Sequence, residues 1–206
     1  ALDDLKSMVD AAGLYLVVGF AGRDQQSLYN GALLMAPNTP ARLYRKTHLP
    51  YLGFDRYSRA GDRLMVWETD LGKIAPLICF DLRVPEAART LALSGAELIV
   101  LPTNWPNGAS VTPKHIAPTR AAENKVYLVT CDRVGTENGF TFIGQSAIYD
   151  PYGIELAKAG DAEELIVADI DLAVTRNKRN VLIPGEYEID PFATRQPNLY
   201  RPLTSK

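Results

Sequence analysis

The chain predicts an α/β domain built around a mixed sheet, and three observations carry that expectation. Continuous apolar runs at residues 14–19, 73–78 and 126–131 have the length and composition of strands buried on both faces. Segments with helical spacing alternate with them, as in layered α/β folds. Turn clusters, Pro37-Asn38-Thr39-Pro40 and Asp150-Pro151-Tyr152-Gly153, join other apolar runs as hairpins, so part of the sheet is antiparallel.

In chain order, Leu2, Leu5, Met8, Val9 and Ala12 repeat at helical spacing and stop at Gly13. A strand follows from Leu14 to Gly19. Leu28 to Met35 and Arg42 to Lys46 read as a hairpin pair, with Lys46 at the end of the second strand. A loop from Leu49 to Asp62, rich in Gly, Tyr and Arg, leads to strands near Leu64 to Thr69 and Lys73 to Ile78. The pattern breaks at Cys79, and Pro85, favoured at the first helical position, opens an alanine-rich helix ending near Gly95. Glu97 to Leu101 is a strand, Thr112 to Asn124 a helix introduced by Pro113, and Val126 to Cys131 a strand that places Cys131 in the core. Gly144 to Tyr149 and Glu164 to Ile170 complete the strands, with a short helix from Leu172 to Asn177. From Pro184 onward the chain is irregular, with no core of its own, and reads as an arm that docks.

At 206 residues the chain supports one substantial core, and 47% hydrophobic with 22% charged residues is ordinary for a globular domain. A net charge of -2 with scattered Lys and Arg argues against nucleic acid or an anionic membrane as partner. No apolar run is long enough to span a bilayer, and two cysteines are too few for a stapled secreted scaffold, so the expectation is a cytoplasmic protein acting on a small molecule.

Cys79 is the residue most suggestive of chemistry. It follows a buried strand and precedes a helix, a position with free backbone N–H groups that stabilise a thiolate and later an oxyanion. A free cysteine is also a common small core residue. Because a thiol ordinarily ionises at about pH 8.5, a nucleophile needs a nearby cation or base, and Lys46 at a neighbouring strand end supplies the cation. Pro102-Thr103-Asn104-Trp105 ends a third strand, and strand ends meeting at one edge make a site.

Ordered motifs along the chain resemble the carbon-nitrogen hydrolase, or nitrilase, superfamily. They are Tyr44-Arg45-Lys46-Thr47-His48-Leu49-Pro50, Ile78-Cys79-Phe80-Asp81-Leu82-Arg83-Val84-Pro85-Glu86 and Arg120-Ala121-Ala122-Glu123-Asn124, with Tyr29-Asn30, Gly144-Gln145-Ser146, Asp150-Pro151-Tyr152-Gly153 and Arg195-Gln196-Pro197-Asn198-Leu199-Tyr200. The resemblance implies an α-β-β-α sandwich with mixed sheets and a Glu-Lys-Cys triad, Cys79 being the nucleophile and Lys46 the supporting cation. By the same resemblance the N–H of Phe80 completes the oxyanion hole, Asp81 and Arg83 shape the turn, and Arg120 and Glu123 form a partly buried supporting ion pair. Asp55 is the acidic candidate in the loop after the lysine, where many members carry a second glutamate. Tyr51, Asn104 and Trp105 are candidate pocket residues, although packing explains the aromatics equally well. The Cys-Phe-Asp start looks closer to amidase-like members than to true nitrilases. The implied reaction is amide hydrolysis through a thioester, with no cofactor. Residues 1–183 form the hydrolase domain and residues 184–206 an arm suited to docking on a second subunit of a homodimer or larger homo-oligomer.

No glutamate precedes Lys46, where the family's general base lies. The expectation drawn is an N-terminally incomplete chain lacking the family's first strands and helix. The rival from another class is a noncatalytic binding or regulatory module; a nitrile or carbamoyl hydrolase and a Cys-His hydrolase using His48 or His115 are further enzyme readings. Histidine and cysteine spacing gives no metal motif, and no phosphate loop or Gly-x-Ser-x-Gly elbow occurs.

Overall fold

The computed structural model describes residues 2–205. α1 (Leu2–Ala12) ends at Gly13, and β1 (Leu16–Arg23), β2 (Leu28–Met35) and β3 (Arg42–Arg45) form an antiparallel sheet in the order β1-β2-β3. The second sheet is mixed, in the order β11-β10-β7-β6-β5-β4. Its centre is parallel: β5 (Gly72–Pro76), β6 (Leu98–Thr103) and β7 (Tyr127–Asp132). β4 (Trp67–Thr69), β10 (Ala147–Tyr149) and β11 (Glu155–Lys158) are antiparallel additions. The parallel strands need crossovers, which α2 (Pro85–Leu93) and α3 (Ala117–Asn124) provide.

Two cores follow from the alternation of side chains along the strands. Ala75, Leu77, Ile99, Leu101 and Leu128 face α2 and α3, and all are 0–1% exposed. Between the sheets, Ala32, Leu34 and Tyr44 pack on Trp67 and Ile78. On the opposite face of β2 Met35 is buried, and α1, whose buried residue is Val9, is tied to the β2–β3 turn by Asn38 N–H donating to Asp10 Oδ1 (2.8 Å). The layers are therefore α-β-β-α.

Four features differ from the sequence-based expectation. Residues 164–170 form no strand, and Leu165 and Val167 are 87% and 76% exposed; β11 follows the Asp150 turn directly and takes the edge beside β10. A hairpin of β8 (Val134–Glu137) and β9 (Phe140–Ile143) is mostly exposed, so it carries no apolar alternation to read. Another, β12 (Asn180–Ile183) with β13 (Tyr187–Ile189), spans the boundary drawn between domain and arm. Cys131 is exposed rather than in the core, because it points away from the helix-facing side of β7.

Candidate active site

β3 delivers Lys46. Its N–H donates to the Asn30 carbonyl (2.9 Å) and its carbonyl accepts from Gly61 N–H (2.8 Å). A Cβ on Gly61 would lie 2.3 Å from the Arg45 carbonyl oxygen, so only glycine lets the loop return this close to the strand end. The Lys46 side chain is 1% exposed, and its Nζ donates to Asp55 Oδ2 at 2.5 Å. Asp55 sits in a 3₁₀ turn, Gly53–Tyr57, and its other oxygen accepts from Asn30 Nδ2 (2.9 Å). Asn30 thus fixes both the backbone of the lysine and its counter-ion. A buried ammonium with a paired, hydrogen-bonded carboxylate is the arrangement under which burial of such a charge is tolerated.

Cys79 begins a second 3₁₀ turn, Cys79–Arg83, which follows β5 and leads into α2. The preceding Ile78 is extended (φ -127°), whereas Cys79 has φ +47°, a left-handed conformation that L residues adopt at a cost. The thiol is half-buried and packs against both cores. The first backbone bond of the turn is Asp81 N–H to Ile78 C=O (3.0 Å), so the N–H groups of Cys79 and Phe80 occupy positions that a helix leaves without an internal acceptor.

Asp81 ties the two halves together. It is fully buried, and its Oδ2 accepts from Tyr44 Oη (2.8 Å) and Ile78 N–H (3.0 Å). Its Oδ1 accepts from His48 N–H (2.8 Å) and Thr47 Oγ1 (3.2 Å), and His48 Nδ1 lies 2.9 Å away. Tyr44, Thr47 and His48 flank Lys46, so the carboxylate two residues after the cysteine is anchored on both sides of the lysine. Burial, and next the Asp81 charge, push the Tyr44 phenol far above its ordinary range, keeping it a donor.

The remaining sequence candidates divide between the brace of this turn, the core and the surface. Arg120 Nε donates to the Leu82 carbonyl (3.1 Å), and its Nη1 pairs with Glu123 (2.9 Å), so α3 braces the end of the Cys79 turn. Arg83 is exposed, as is Asn104 at the end of β6. Tyr51 is 90% exposed on the surface rather than walling the Lys46–Asp55 pair, because the loop turns its ring outward beside Arg56. Trp105 is 2% exposed and belongs to the core on the helix side. His115 is exposed. A surface groove of about 460 Å³ between Asn107 and Lys114 on one side and Thr141 and Phe142 on the other is lined by neither Cys79 nor Lys46. Sequence reasoning missed Asn30 as the organiser of the lysine and Asp132 at the end of β7. The second left a trace, a carboxylate ending an apolar strand.

Fold and site together define a four-layered sandwich that presents a cysteine on a strand-to-helix turn and ties it to a buried lysine. The chain belongs to the carbon-nitrogen hydrolase family, which it matches over residues 1–180, on the amidase-like side of the nitrilase superfamily. A nitrilase of Pyrococcus abyssi is 43% identical over 170 residues, 81% of this chain and 63% of that protein. An (R)-stereoselective amidase of a Pseudomonas species is 31% identical over 207 residues, 95% and 74% of the two chains. In structure, a mutant of the amidase from Nesterenkonia sp. AN1, showing covalent addition of the acetamide moiety of fluoroacetamide at its active site cysteine, superposes with TM-score 0.82 at 25% identity. That match covers 97% of this chain and 71% of the amidase. The chain thus spans less than two thirds of the length of the Pyrococcus relative. Among the described residues no helix is long and apolar enough to cross a membrane, and no group of three metal-binding side chains converges.

Proposed function

We propose that this chain carries the nucleophile and the lysine of a small-amide hydrolase. Cys79 sulfur attacks the amide carbon, and the oxyanion is met by the Lys46 ammonium and the Phe80 N–H. Collapse breaks the C–N bond, the amine or ammonia leaves with the proton given up by the Cys79 thiol, and water then cleaves the thioester to a carboxylic acid and free Cys79. The observation that carries this reading is the Asp81 bridge, which binds the cysteine turn to the residues on both sides of Lys46. The left-handed Cys79 adds support, since backbone strain concentrates where function requires it. Asp55 serves as positioning residue for the ammonium, and Asp81 and Arg120 support the turn.

The test is covalent trapping. Incubated with fluoroacetamide near neutral pH, the chain should gain one acetamide at Cys79 in peptide mass spectra, with Lys46→Ala slowing the reaction at least tenfold and Cys131 remaining unmodified. Equal, sluggish modification of both cysteines overturns the reading. A second reading is a module that captures its ligand through the site without turning it over. Adduct formation without amine release over many equivalents of a simple amide selects that reading.

We extend the reading to assembly: Val181, Leu182 and Ile183 of β12 and Leu199 of the arm are exposed apolar residues suited to a second copy. Gel filtration of a chain ending at Ile183 should show loss of the dimer, and an unchanged dimer rejects that role for the arm.

A further inference from the structure

We propose that Asp132 is a proton-carrying positioning residue that holds the strand end Thr103-Asn104-Trp105 beside the Cys79 turn; the proposal rests on the reading of Cys79 as nucleophile. Asp132 ends β7 and Thr103 ends β6, and the two are register partners in the parallel ladder. Leu101 and Leu128 face the helices, so by strand alternation Thr103 and Asp132 do as well. They are 7% and 9% exposed. One carboxylate oxygen, Oδ1, accepts from Trp105 N–H at 2.7 Å and fixes the backbone where β6 ends. Among the described residues the other, Oδ2, is buried without a hydrogen-bond partner, and so is Thr103 Oγ1.

The next strand over carries the nucleophile. Pro76 pairs with Val100, so Cys79 and Thr103, each three residues further on, leave the same end of the sheet. Cys79, Thr103 and Asp132 therefore end three neighbouring strands. A buried carboxylate with one donor is poorly compensated, whereas a neutral carboxylic acid tolerates the same burial and brings its own O–H. Desolvation outweighs the Trp105 donor and the weaker pull of the Arg133 N–H, which itself bonds the Thr103 carbonyl (3.3 Å), and pushes this carboxyl up to about 7. Few groups around it titrate. On its own strand the Cys131 thiol, though the residue is exposed at the surface, is pushed up by partial desolvation and then by the Asp132 charge, while Arg133 offers only its backbone N–H. From β6 it faces Thr103, from the loop beyond β6 the Trp105 N–H, and from the approach to β10 Ser146, whose Oγ accepts from Asp132 N–H; none of these three ionises near neutrality. No charged side chain among the described residues contributes to its shift.

An asparagine would accept the same Trp105 bond without titrating. A carboxyl in that place makes the strand end respond to pH. With its proton the group is neutral and the strand end is held. Once ionised, it sets a charge about two strand spacings, or about 10 Å, from Cys79 and draws water toward Oδ2 and Thr103 Oγ1.

The test uses the whole chain, Asp132→Asn and Thr103→Val. Infrared spectra should show a carboxylic acid C=O band that disappears with a midpoint near neutral pH in the native chain and is missing from Asp132→Asn. The rate of Cys79 alkylation by iodoacetamide, taken as Asp132→Asn over native, should be about one at pH 5, rise to about twofold to threefold near pH 8 as Asp132 ionises, the scale of one charge acting at this distance, and fall back at higher pH where thiolate is complete in both proteins. Thr103→Val, which removes the neighbouring hydroxyl, should move the infrared midpoint upward, and it keeps the proposal open to refutation if Asp132→Asn fails to fold. A ratio flat across pH, or a band that survives in Asp132→Asn, overturns the proposal. Cys79 unreactive in both proteins at every pH instead overturns the nucleophile reading, and the band then judges Asp132 separately.

Discussion

Two buried aspartates, one beyond the end of β5 and one at the end of β7, strands separated by β6, are treated in opposite ways. Asp81 is surrounded by donors from Tyr44, Thr47, His48 and its own turn, and every oxygen is used. Asp132 has one backbone donor on one oxygen and nothing on the other. The contrast shows how the fold divides its tasks. A carboxylate with several donors is a fixed anchor, and a carboxyl with one is an adjustable one, since the donor count decides whether the charged form is tolerated.

Replacing the fixed anchor should have the largest effect. Asp81→Ala strands several buried donors at once, and we expect about 5 kcal/mol of lost stability, enough to unfold a domain of ordinary margin, read by chemical denaturation. A loss below about 1 kcal/mol would show that the network does not hold the turn. Asp55→Ala leaves the Lys46 ammonium buried without its counter-ion and should cost about 3 kcal/mol, also slowing Cys79 alkylation. Tyr44→Phe removes one donor to Asp81 and should cost about 1–2 kcal/mol without shifting any neutral-range titration.

The adjustable anchor should show the reverse sign. Its folded pKa, about 7, lies above the ordinary carboxyl value, so its contribution is fully present below about pH 4 and is lost as pH rises to about 7. Asp132→Asn should therefore lie about 1–2 kcal/mol below the native chain near pH 4, the cost of an amide left underpaired, and should overtake it by about 1–2 kcal/mol at pH 8. Equal stability of the two at both pH values would erase the distinction between the aspartates. Cys131→Ser, at an exposed position beside Asp132, should change stability by less than about 0.5 kcal/mol.

Much of this molecule is legible before folding. β2 runs over the predicted Leu28 to Met35, and the helices at Leu2, Pro85 and Thr112 begin where their signals stand, the last with a π-type turn, Thr112–Ile116, ahead of α3. Local signals suffice there, because proline and glycine punctuation and apolar period act within a few residues. Leu165 and Val167 misled for the same reason: a strand needs a neighbour to pair with, and composition does not show whether one exists. Position along the chain marks Tyr51 and Trp105 alike as pocket candidates, yet one faces solvent and the other the core. An aromatic residue after a strand end looks alike in both settings.

By itself the sequence determined the order of elements through β7, the strand-to-helix junction at Cys79 and the lysine at the end of its strand, since these depend on residue types and spacing along the chain. Only the tertiary structure decided that Asp81 reaches back more than thirty residues to grip both sides of Lys46, that Asn30 holds Asp55 against it, and that Asp132 is left with half its hydrogen bonds. Those are matters of which buried polar atoms meet. Long-range pairing of this kind is set by the stacking of the two sheets, and no local pattern encodes it.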